Sequence, residues 1–97
     1  MLDFTKSARC VFNHIRAYNP NPIAYFMLKG DQIKVFDSKV VDETTTEAPG
    51  IILLHHKNRL LIACGENTVL ELLVVQPTGK KMMNARDFIN GGLRKYL

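Results

Sequence analysis

Tryptophan is missing from this 97-residue chain, and aromatic residues of all kinds make up 8% of it. The loops carry no obvious stacking aromatics, which argues against a protein that reads unpaired bases. Cysteine occurs only as Cys10 and Cys64, far apart and in no CxxC arrangement. These read as reduced, mostly buried thiols of an intracellular protein, not as a disulfide. No apolar run approaches the ~20 residues of a membrane span. No cationic stretch followed by an apolar segment opens the chain, so no secretory signal is expected. Histidine is limited to His14, His55 and His56; neither of the adjacent His55 and His56 has a cysteine or carboxylate at zinc-ligand spacing, and His14 sits near a helix flank, where a surface or half-buried histidine is the usual case. No GxSxG, HExxH or phosphate-cradling glycine loop occurs, and Asp37, Asp42, Glu43 and Glu47 have no convincing partner. Neither catalysis nor metal binding is expected, and there is no internal repeat or low-complexity segment.

What is present fits one domain over residues 1–97, with 46% hydrophobic and 23% charged residues. A formal charge of +4 permits a polyanionic partner without demanding one. Thr5 is placed to cap a helix from about Lys6 to Ala17, with Ala8, Val11, Phe12, Ile15 and Tyr18 on one side. Lys6, Arg9, Asn13 and Arg16 form a basic strip opposite, which a solvated helix face explains as well as a phosphate contact does. Asn19-Pro20-Asn21-Pro22 ends the helix and gives a fixed link onward.

From Ile23 the period becomes alternating. Ala24–Leu28 reads as a strand, followed by a tight turn at Lys29-Gly30-Asp31. Gln32–Asp42 is long for one strand and its alternation slips, which predicts a bulge near Asp37 in a strand serving both halves of a small barrel. Glu43–Pro49 is a surface loop. Ile51–Leu54, Leu60–Ala63 and Val69–Val75 are further strands, separated by turns at His55–Arg59 and Gly65–Asn67. Ile33, Val35, Leu53, Leu61, Leu70, Leu72 and Val74 are the expected barrel core, with Phe12 and Ile15 packing the helix onto it. Leu73 and Val75, on the other face of the last strand, suggest cover by a helix. The fold class is therefore mainly β: a small open Greek-key barrel resembling an OB-fold, flanked by an N-terminal helix and a short C-terminal helix.

The stretch QPTGKKMMNARDFINGG, Gln76 to Gly92, is the most distinctive. Pro77 closes a strand, Thr78-Gly79 turns the chain, and Lys80-Lys81 places two cations at the exit. Asn84 and Asp87 then start a short helix whose apolar residues are Ala85, Phe88 and Ile89, stopped at Gly91-Gly92. The tail from Leu93 docks through Leu93 and Tyr96 or frays.

Together with Ile15–Tyr25, IRAYNPNPIAY, this stretch resembles the C-terminal domain of methionyl-tRNA formyltransferases. That family shows IRAFNPWPGAY-like and QPxGKKxMxARDFxxG-like segments, and Asn21 and Ile23 are departures from its usual Trp and Gly. The resemblance covers nearly the whole chain. It implies a non-catalytic domain that contacts initiator methionyl-tRNA, while a separate N-terminal catalytic domain holds 10-formyltetrahydrofolate and performs the transfer. It implies no cofactor in this chain, a cytoplasmic setting, no membrane, and a monomer. The basic groups that fit RNA contact are Lys80, Lys81 and Arg86, then Lys57 and Arg59 in a hairpin tip, and Arg16. They suit recognition of shape and backbone. The alternative is an interdomain packing module of another formyl-transferring enzyme whose substrate is not RNA.

Overall fold

A β-strand pattern that slips once, and a helix that must cover the face it leaves open, organise the fold. The computed structural model describes residues 1–18, 23–53 and 58–93. In chain order it has α1 (Ala8–Tyr18), β1 (Tyr25–Leu28), β2 (Asp31–Thr44), β3 (Ile52–Leu53), β4 (Leu60–Ala63), β5 (Thr68–Pro77), β6 (Met83–Asn84) and α2 (Ala85–Gly91). The strands run antiparallel in the order β1-β2-β5-β4-β3, with β6 also paired to β5. The result is a curled half-barrel between an N-terminal and a short C-terminal helix, the expected class. The Asn19–Pro22 link, Leu54, the His55–Lys57 part of the hairpin tip and Tyr96 lie outside the described residues.

The β1–β2 turn is Lys29-Gly30, with φ of 48° and 89°. Positive φ at both positions matches the right-handed twist of a two-residue hairpin. The slip near Asp37 is a bulge in β2 followed by one in β5. Val35 pairs with Val75 and Asp37 with Val74, leaving Phe36 over; Ser38 then pairs with Leu72, leaving Leu73 over. Each extra residue reverses which face the next side chain takes. Ile33 and Val35 therefore point inward before the bulge, and Ser38 and Val40 after it. On β5 the inward set is Leu70, Leu72 and Val75.

This corrects three core assignments. Val74 is half-buried and Val75, expected on the other face, is fully buried in its place. Leu53 and Leu61 are buried, yet they belong to a second cluster with Ala63 and Val69. Leu61 pairs with Glu71, between the inward Leu70 and Leu72, so this cluster occupies the opposite face of the sheet. All four residues of β4 are consequently inaccessible, as in a strand covered on both sides.

Helix α1 starts later than expected. Thr5 gives its hydroxyl and main-chain N–H to Asp3, and Ser7 Oγ accepts from the Cys10 N–H at 3.3 Å. The helix start is bolted to the β4–β5 turn. Ala8 N–H donates to Thr68 Oγ1 at 2.8 Å, and that hydroxyl donates to the Gly65 carbonyl at 2.6 Å. Gly65 N–H in turn meets the Phe4 and Lys6 carbonyls. A Cβ on Gly65 would stand 1.9 Å from the Thr5 carbonyl oxygen, so only glycine fits. Ala8, Val11 and Ile15 are buried, Phe12 is half-buried against the same core, and Phe88 and Ala85 bring α2 onto it.

Candidate nucleic-acid interface

The sequence from Gln76 to Asp87 folds as expected up to a new strand. Pro77 is the last residue of β5, and the Lys80 N–H returns to the Pro77 carbonyl at 3.1 Å. Gly79, at φ 76°, occupies the third position of that turn, where a positive φ is needed for a type II geometry. Thr78 locks the turn from the side: its hydroxyl accepts from the Gln32 N–H at 3.1 Å and donates to the Gln32 carbonyl at 2.9 Å. Gln76 Nε2 donates to the Lys80 carbonyl at 3.0 Å. Met83 and Asn84 then pair with Val75 and Val74 as β6, an element too short to show a period in the sequence. Asn84 caps α2, its Oδ1 accepting from the Asp87 N–H at 2.8 Å.

Lys80, Lys81 and Arg86 are exposed and make no ion pair among the described residues. They stand on one continuous stretch, with the two lysines on a turn held from three sides. The structure adds Lys34, which sequence reasoning passed over. It lies between the inward Ile33 and Val35 and pairs across strands with Gln76. With Gln32, Gln76, Thr78 and Gly79 it borders a polar groove of about 180 Å³ beside the lysine turn. Alternation alone places Lys34 outward, but only the register places it next to Gln76.

On the other flank of the turn, Pro77, Lys80, Met83, Asp87, Gly91 and Gly92 surround a cleft of about 400 Å³. Phe88, fully buried, lies behind it.

The other basic groups lie on other elements. Arg16 and Arg9 lie on α1, with guanidinium carbons 5.5 and 5.8 Å from the centre of the Phe12 ring. Such cation–π seating holds two positive charges on an exposed helix face that contains no acid. α1 begins at the Thr68 end of β5, whereas the lysine turn leaves the Pro77 end. Arg59 has acidic partners: it donates to Glu43 at 2.8 Å and to Glu71 at 3.1 Å. The bonds it donates to Glu71, then to Glu43, raise the guanidinium pKa above its ordinary value. Lys39 also approaches Glu71, at 3.8 Å. Glu71 is buried on the face of the second apolar cluster, so these cations supply the charge that its burial requires. Lys57 lies outside the described residues.

Cys64 is buried and Cys10 is exposed, so only one of the two free thiols has the burial expected of both. No group of three or more metal-ligating side chains converges among the described residues, and none of their helices is long and apolar enough to cross a membrane.

Comparison with known proteins places this geometry. The family model for the formyl transferase C-terminal domain matches residues 1–93. The methionyl-tRNA formyltransferase of Bacillus subtilis (strain 168) is 37% identical over 91 residues, 94% of this chain and 29% of the relative. That of Lactobacillus acidophilus is 40% identical over 96 residues, 99% of this chain and 30% of the relative. That of Lactobacillus delbrueckii subsp. bulgaricus is 46% identical over 84 residues, 87% of this chain and 26% of the relative. The chain thus spans less than a third of the length of these relatives.

Proposed function

The chain belongs to the formyl transferase C-terminal domain family, and from that premise we propose that it serves as the RNA-contacting, non-catalytic domain of a methionyl-tRNA formyltransferase. In this reading it holds initiator methionyl-tRNA by the backbone while a separate catalytic domain, carrying 10-formyltetrahydrofolate, transfers the formyl group. One observation carries the reading: the locked turn that presents Lys80 and Lys81, with Arg86 following, all without acidic partners among the described residues. Lys34 extends the same surface, and Arg16 with Arg9 offers a second contact on α1. Arg59 belongs to the ion-pair cluster around Glu71 and is left out of the contact set.

A cation set against a phosphate releases condensed counterions, so binding weakens as salt rises, in proportion to the number of contacts. Positioning contacts of this kind carry no sequence information. Replacing Lys80 and Lys81 together by Ala should therefore weaken the binding of unrelated tRNAs about equally. The slope of log affinity against log salt should flatten by roughly one to two units. Stability should move by no more than about 0.5 kcal/mol, because both side chains are exposed. The measurement is a salt titration of tRNA affinity for the parent and the double variant, with melting curves alongside. An unchanged slope rejects the reading.

A further inference from the structure

We propose that the cleft between the lysine turn and α2 seats one unpaired nucleobase of the bound RNA, a base with an exocyclic amino group. This rests on the RNA-contact reading and goes beyond it, because contact with the backbone needs no seat for a base. The cleft measures about 400 Å³, within the range of small-molecule sites. Its lining includes Met83 and Pro77, and also Gly91 and Gly92, which carry no side chain. A planar ring can lie between a soft, polarisable side chain and bare backbone without any aromatic partner.

The rim carries one charge of each sign. Lys80 stands on the turn, where it meets the phosphate of the seated nucleotide. Asp87 stands on α2, and its main-chain N–H, not its carboxylate, makes the bond to the Asn84 cap. Neither Lys80 nor Asp87 has an ion-pair partner among the described residues. A carboxylate at that position accepts a hydrogen bond from the amino group of cytosine. Uracil presents a carbonyl oxygen at the same edge, which the carboxylate repels. Apolar walls, a cation and a carboxylate together match a nucleotide, with a phosphate for one rim and an amino group for the other.

The test is an NMR titration of the 97-residue chain with CMP and with UMP. The amides of Met83, Asp87, Gly91 and Gly92 should shift, with CMP binding tighter than UMP by on the order of fivefold. Asp87→Asn should erase that preference, since the cap bond is made by the main chain. A Cβ at Gly91 meets no atom within 4 Å, so Gly91→Leu can place its side chain in the cleft with the fold intact. That variant should lose the CMP shifts and bind bulk tRNA several-fold more weakly at an unchanged salt slope. Absent shifts, equal affinity for CMP and UMP, or an unaffected Gly91→Leu overturns the proposal. The two failures are distinguishable. If the lysine double variant keeps the parent salt slope, the RNA reading falls and the base seat falls with it; if the slope flattens while Gly91→Leu behaves as the parent, only the base seat falls.

Discussion

Burial pushes the Cys64 thiol up from an ordinary value of 9.0 to about 11, and a backbone hydrogen bond at Leu70 opposes the shift only in part. The neutral thiol is thus the form the folded protein prefers. Because the folded pKa lies above the unfolded one, the thiol costs nothing below pH 9, and stability falls as pH rises from about 9 through 11. A two-unit shift corresponds to roughly 2–3 kcal/mol by the top of that window. Denaturant curves across it should be steeper in pH for the parent than for Cys64→Ala, which shares every other titrating group. Equal pH slopes would remove Cys64 as the cause. Gly65 answers to sterics instead of charge. Its missing Cβ leaves room for the Thr5 carbonyl, and Gly65→Ala drives the N-terminal segment off the β4–β5 turn. The expected loss is about 1–3 kcal/mol by urea unfolding, and a parent-like midpoint would show that the segment shifts at little cost. The sequence marked Gly65 as a turn residue; that another strand of backbone passes over it was not legible, because Phe4–Lys6 is sixty residues away.

At the scale of elements, the paired bulges of β2 and β5 decide which apolar residues count. Leu72 is fully buried in the main core, and Val74, two positions on, is half-buried outside it. Leu72→Ala should cost roughly 2–5 kcal/mol, whereas Val74→Ala should cost about 1 kcal/mol or less, comparable with a partly exposed site. Melting the two variants side by side checks the inward face; similar losses would restore simple alternation. The slip near Asp37 was visible in the sequence because Ile33 and Val35 fall out of phase with the apolar residues after it. The matching slip in β5 was not, since Leu70 to Val75 is apolar at five of six positions and nothing after Glu71 marks a polar face. For the same reason β4 could not reveal that its two faces enter different clusters.

For the whole molecule, the sheet and two helices leave one segment, Pro77 to Gly92, with cations on a locked turn, a polar groove on one flank and an apolar cleft on the other. None of the sequence patterns associated with acyl or group transfer accompanies it. The 97-residue chain alone is therefore expected to show no turnover of methionyl-tRNA with a formyl-folate donor, in an assay where a full-length formyltransferase serves as control. Measurable turnover would show that the chain carries a reactive constellation of its own. The sequence by itself determined the family, the helix–barrel–helix order, the bulge and the Lys80–Lys81 turn. The family rests on the resemblance of two motifs; the other three rest on local rules: proline and glycine punctuation, side-chain capping, and hydrophobic period. Tertiary structure decided which cations have acidic partners among the described residues. Lys34 gains its place by pairing with Gln76, forty-two residues on, and Arg59 is drawn to Glu43 and Glu71 because a buried carboxylate needs a counter-charge. Such partnerships depend on register and burial, which are settled only when distant strands meet.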